Sequence, residues 1–109
     1  MDIQHKDLAE GRWYKLSLAE QLGNVGSEVS RAKNWHGRNE KFSENAFIRA
    51  LELLDLTLAD TRWRHRLKEL TRVREVLGDL FMGGQEYKST FEDLDRYFFH
   101  FAIAARSGK

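Results

Sequence analysis

The chain is 109 residues long, 41% apolar and 32% charged, which is enough for one buried core, too little for two, and at odds with a disordered polyelectrolyte. Its 18 basic side chains nearly cancel its 17 acidic ones, so no global charge draws it to nucleic acid or membrane, and any electrostatic function must come from local segregation. It has no cysteine, which excludes a disulfide framework, a thiolate zinc site and a cysteine nucleophile.

The opening run Met1-Asp2-Ile3-Gln4-His5-Lys6-Asp7 has no apolar core of the signal-peptide kind, and apolar runs elsewhere are only a few residues long. The expectation is a cytoplasmic protein without a membrane span. Residues 1–16 read as a partly ordered arm in which Leu8, Trp13, Tyr14 and Leu16 form a short helix or lay aromatic rings on a neighbour, with Gly11 as an interruption. The first clear helix is predicted from about Ser17 to Lys33. Leu18, Leu22, Val25, Val29 and Ala32 recur at alternating steps of four and three and share one face. Beside them runs a stripe of small residues, Ala19, Gly23, Gly26 and Ser30. Glycine inside a helix costs roughly 1 kcal/mol relative to alanine, so this stripe predicts a close approach by another helix.

Asn34-Trp35-His36-Gly37-Arg38-Asn39 is a turn by composition, and its tryptophan is expected to fold back and close the core. The second helix is predicted from Glu40 or Ser43 to Ala59. It carries Phe47, Leu51, Leu54 and Leu58 on one stripe and Ala46, Ala50, Leu53 and Thr57 on its neighbour, with Leu56 in addition, so it is expected to be the most buried. Asp60 or Thr61 then caps a third helix, Arg62 to Phe81, with Trp63, Leu67, Leu70, Leu77 and Phe81 inward and Val73, Val76 and Leu80 alongside. Gly83-Gly84 ends it. Ser89-Thr90-Phe91-Glu92 reads as a capping box. The fourth helix follows, with Phe91, Leu94, Phe98, Phe101 and Ala105 on one seam, and frays at Ser107. The sum is an all-α, antiparallel up-down four-helix bundle over residues 17–107 with shallow crossings. Tyr97, Phe98 and Phe99 span too wide an arc for one core, which predicts a homo-oligomer with these three at its interface.

The strongest charge feature is the run Arg62, Arg64, Arg66, Lys68, Arg72 and Arg74. Arg64, Lys68 and Arg72 recur every four residues along one edge next to Trp63, a stripe able to neutralise phosphates. The alternative is a solvated face in which these arginines pair with acids such as Asp55 and Asp60. Trp35 and Arg38 form a second candidate contact patch, in a loop. Arg31 and His36 resemble the Arg-x4-6-His signature of HEPN ribonucleases, in which histidine moves protons and arginine holds phosphate; this is the enzymatic alternative to a non-catalytic protein. No Glu stands three residues before a His, as a di-iron bundle requires. His65 with Glu69 supplies only two ligands of the set a catalytic ion needs, and Glu52 with Asp55 only faintly resembles the magnesium-binding pairs of helical pyrophosphohydrolases. No metal or cofactor is expected.

Leu18, Val25 and Glu28-Val29-Ser30-Arg31-Ala32, followed by Arg49-Ala50-Leu51-Glu52-Leu53-Leu54 at the equivalent place in the second helix, carry a pattern-level resemblance over most of residues 17–106. The chain resembles the bacterial four-helix-bundle proteins encoded in 23S rRNA intervening sequences and the Avd-like accessory proteins of diversity-generating retroelements. The resemblance implies a ring-shaped homo-oligomer, a pentamer, with a non-enzymatic role. The retroelement members bind RNA and a reverse transcriptase through basic surface. The functional expectation is therefore a non-catalytic scaffold for RNA or a nucleic-acid-handling protein; an antitoxin-like partner protein is a further alternative.

Overall fold

Ser17 opens the first helix with a capping box. Its hydroxyl accepts from the Glu20 N–H at 3.1 Å, and the Glu20 carboxylate accepts from the Ser17 N–H at 2.8 Å. In this computed structural model, which describes residues 11–83 and 91–107, that helix is α1 (Leu18–Trp35). It is followed by α2 (Glu40–Leu58), α3 (Leu67–Phe81) and α4 (Phe91–Ser107). Short 3-10 stretches occupy Trp13–Lys15 and Thr61–Arg66, and no strand occurs among the described residues. Gly37 at φ +82° turns the chain out of α1, and Gly83 at φ +126° ends α3, both in backbone regions that favour glycine. Asn39 caps α2 by accepting from the Phe42 N–H at 3.1 Å. Leu8, Ser89 and Thr90 lie outside the described residues.

Neighbouring helices run antiparallel. Ser43 donates to the Ala32 carbonyl at 2.8 Å, and Arg49 reaches Glu28 at 3.2 Å. Gly26 and Gly23 meet Phe98 and Ala102 in turn. Phe47 packs on Phe81, and Arg74 pairs with Asp55. The five stripe residues of α1 are all buried. Its small residues form the seat of α4: Gly26 faces the Cβ of Phe98, Gly23 faces the Ala102 backbone, and the Ser30 hydroxyl donates to Asp95. Because these small residues let α4 close on α1 while α2 covers its other side, α1 and not α2 is the most enclosed helix. It buries eight residues to the seven of α2.

The third helix starts later than its pattern predicts. Asp60 accepts from the Arg62 N–H at 3.1 Å, and the chain takes 3-10 geometry, with Trp63 at φ −102°, ψ 22° and Arg66 at φ −114°, ψ 12°. The Trp63 indole N–H is held by Gln21 at 2.9 Å. With about three residues per turn here instead of 3.6, the apolar register restarts at α3. Leu70, Val73 and Leu77 are buried, but Leu67, placed inward by the pattern, is 44% exposed.

One end of the molecule is closed by a buried polar cluster. Gln21 is fully buried and donates to both the Trp13 carbonyl and Asp60, each at 3.0 Å, while accepting from Trp63. Trp13 is also fully buried; its indole N–H donates to the Thr57 hydroxyl at 3.1 Å, which donates in turn to the Leu53 carbonyl. Arg62 bridges outward, donating to Asp60 and to the Leu16 carbonyl, each at 2.7 Å. Every member has a partner, the condition under which buried polarity is tolerated. Hydrogen bonds from the Arg62 side chain, against the opposing pull of burial and with help from Gln21, hold the Asp60 carboxyl at about 2 against its ordinary 3.8. A depressed carboxylate stabilises the fold above its ordinary value, and that contribution is lost as pH falls from 3.8 toward about 2. The Asp60→Asn variant should therefore lose about 2 kcal/mol at neutral pH. It should also lack the part of the acid sensitivity that wild type shows between these two values. Urea denaturation of both chains over a pH series measures the difference, and parallel curves would rule the coupling out.

Candidate nucleic-acid interface

The basic run does not form one edge. Arg62 is committed to Asp60, which raises its own pKa, and its guanidinium lies 4.4 Å from the centre of the Trp63 ring. Arg66 grips Glu69 with bonds of 2.9 to 3.1 Å, and Arg74 holds Asp55 at 2.8 Å. Arg62, Arg66 and Arg74 are thus held in internal pairs, including the pairings with Asp55 and Asp60 that the sequence offers as the alternative. Arg64, Lys68 and Arg72 are exposed. Arg64 sits in the 3-10 stretch and the other two in α3. A repeat of four lines up residues in an α-helix, not across a 3-10 segment with two kinks, so Arg64 leaves the line that Lys68 and Arg72 share.

A second patch gathers residues from two helices at the α1–α2 corner. Trp35, the last residue of α1, does not close the core. It is half-buried, and its ring meets Phe42 edge-on at 5.0 Å between centroids. Phe42 is itself 47% exposed. The capped first turn of α2 presents Phe42 to Trp35, and the inward stripe of α2 passes on the other side. The Arg38 guanidinium stands over the Trp35 ring at 5.5 Å. Two open hollows flank the ring. One, of about 360 Å³, is lined by Arg31, Phe42, Asn45 and Arg49. The other, of about 470 Å³, is lined by Ser27, Ser30, Asn34 and Arg38 together with Arg31. Arg31 and Arg49 share the Glu28 carboxylate at 2.9 and 3.2 Å, and Glu28 is only 8% exposed. The buried acid fixes both guanidinium stems, which makes a preset basic wall beside an aromatic ring.

Sequence reading places Trp35 and Arg38 in this patch but misses Phe42, Asn45 and Arg49. Their signal was present: they follow one another at i, i+3 and i+7 on α2, off its apolar stripes. The two residues of the enzymatic alternative line different hollows. Arg31 lies on Glu28 between the two hollows, while His36 is exposed, 3.4 Å from Glu40 and against Phe91, and lines a different cleft.

The three aromatic residues proposed for the oligomer interface point three ways. Phe98 is 1% exposed and belongs to the core, because Gly26 leaves room for it. Tyr97 is half-buried, and its hydroxyl donates to Glu69 at 2.7 Å. Only Phe99, 57% exposed, faces outward. Burial, then the bond to Glu69 and the charge of that carboxylate, push the Tyr97 hydroxyl well above its ordinary range. Burial of Glu69 works the other way from its bonds with Tyr97 and Arg66, which win and lower it. Glu69 thus serves a link between α3 and α4 and is not open to a ligand with His65. Among the described residues no group of three His, Asp or Glu side chains is placed to hold a metal ion, and no helix is long and apolar enough to cross a membrane. The chain matches no family model, no curated protein and no solved structure.

Proposed function

We propose that this chain is a non-catalytic helical binding module for single-stranded RNA, with the α1–α2 corner as its contact surface. The observation that carries this reading is the Trp35 ring beneath the Arg38 guanidinium, beside hollows lined by Arg31 and Arg49, which share the one carboxylate of Glu28. Bases stack on aromatic faces irrespective of sequence, and arginine supplies both phosphate neutralisation and stacking. The hollows on either side of the ring leave room for a backbone to pass it. Arg64, Lys68 and Arg72 would add phosphate contacts at a second point, steering without specificity.

Fluorescence anisotropy with a labelled, unstructured RNA oligonucleotide at low salt tests the reading. Wild type should bind, with affinity falling steeply as salt rises. Trp35→Ala should weaken binding by roughly tenfold or more, the worth of about one stacked base, and Arg38→Glu should weaken it further. A duplex RNA of equal length should bind less well, since its bases offer no free face. Absence of binding by wild type, or undiminished binding by both variants, would sink the proposal. Loss on reversing Arg64 and Lys68 with none at Trp35 would move the contact to α3.

A further inference from the structure

The outer side of α4 carries a second seam that the bundle does not use. Glu92, Arg96, Phe99, Ile103 and Arg106 are all exposed and recur at alternating steps of four and three, the spacing of a helix-pairing stripe. The inner stripe, with Leu94 and Phe98, already supplies the core. Phe99 and Ile103 leave 57% and 42% of their surface in water, adjacent on the helix at i, i+4. Beside them a groove of about 280 Å³ runs between α1 and α4, floored by Gly23 and Gly26 and rimmed by Phe99.

We infer that this face is a self-association surface, on which α4 of a second copy lies antiparallel across a two-fold axis at Phe99. Charge selects both the occupant and its direction. Glu92 and Arg106 stand seven residues to either side of Phe99. An antiparallel pair centred there sets the Glu92 of each copy opposite the Arg106 of the other, twice over. It also sets each Ile103 opposite Asp95 of the other copy and one position from Arg96, whose guanidinium pairs with Asp93 of its own helix at 3.5 Å, and it brings the two Phe99 rings together beside the glycine-floored grooves. A parallel pair would set Glu92 against Glu92 and Arg106 against Arg106. An axis shifted to Phe101 would set Arg96 against Arg106. Of these three arrangements, the Phe99-centred one alone sets Glu92 against Arg106 and none of these like charges against each other. It also opposes the two helix dipoles, with Glu92 in the first turn and Arg106 in the last. Such a contact is isologous and closes at two copies.

The native mass of the full-length, untagged chain, by light scattering after size exclusion over a concentration series, tests the surface. Wild type should form a dimer, and Phe99→Asp a monomer of unchanged helix content by circular dichroism. Glu92→Arg and Arg106→Glu should each weaken the dimer by about tenfold, since each turns both symmetric ion pairs into repulsions. The double variant, with the two charges exchanged, should restore it. A wild-type monomer at every concentration would overturn the inference, and so would a five-copy mass, which needs a different, heterologous face. A dimer indifferent to Phe99→Asp, or a double variant no better than the singles, would do the same. RNA binding is read in separate assays on the Trp35 variants, so either result stands without the other.

Discussion

Trp13→Ala should cost about 4 kcal/mol of folding stability, a fall of roughly 20 °C in Tm for a domain of this size. Total stabilities of such domains are only about 5–15 kcal/mol, so the variant should sit near the edge of folding. The ring is fully buried, and its removal leaves a void among residues contributed by the entry segment, α1 and α2. The indole N–H also reaches Thr57 at 3.1 Å, over a separation of 44 residues. Trp13→Phe should cost far less, about 1–2 kcal/mol, because most of the ring volume stays and the Thr57 hydroxyl keeps its bond to the Leu53 carbonyl. Guanidinium denaturation compares the three chains. If the alanine variant lost less than about 1 kcal/mol, the docking of residues 11–16 onto the bundle would be wrong.

Gly26→Leu should destabilise by about 3 kcal/mol, despite a helix propensity gain of about 1 kcal/mol over glycine. Any Cβ at this position overlaps the Cβ of Phe98, an atom tied to the α4 backbone, so relief requires α4 to move away from α1. The two other helical glycines should behave differently. A Cβ at Gly23 meets the Ala102 Cα at 3.3 Å, tight enough that Gly23→Ala should change stability little. A Cβ at Gly78 meets only the end of the Arg74 side chain, at 3.2 Å; moving that group loosens its exposed pair with Asp55, so Gly78→Ala should stabilise, but by less than its propensity gain of about 1 kcal/mol. Thermal melts of the three variants should therefore fall into three classes. A shared sign across all of them would contradict the packing of α4 on the small-residue face.

Much of this fold is legible in sequence where the pattern is local and periodic. The α1 stripe from Leu18 to Ala32 and the small-residue stripe beside it name the two faces that α2 and α4 cover. The predicted start of that helix, about Ser17, falls on its N-cap. Legibility fails where a side chain answers to a distant partner. Nothing around Trp13 shows that it is the largest fully buried side chain, because its depth depends on Thr57 and Gln21. Nothing periodic shows that the Arg62–Arg66 stretch leaves the α-helix, because Asp60 and Gln21 draw it out of line. The candidate site divides the same way. Charge counting finds six cations on the third segment and offers Asp55 and Asp60 as partners, but it cannot tell which arginines those acids hold, nor that Glu69 holds Arg66. Trp35 and Arg38 are neighbours in sequence and are found together, whereas Arg49 joins them only because Glu28 ties α2 to α1.

The three tryptophans stand in three settings: Trp13 enclosed in the core, Trp63 half-buried against it at the α2–α3 corner, and Trp35 half-buried away from it beside the Arg38 guanidinium. That placement gives the chain its own set of optical probes. Light emitted from Trp13 reports on whether the interior is dry, while emission from Trp35 reports on what touches the corner. With two conservative Trp→Phe changes at a time, occupancy of the surface and integrity of the core become separate readings from one unlabelled protein.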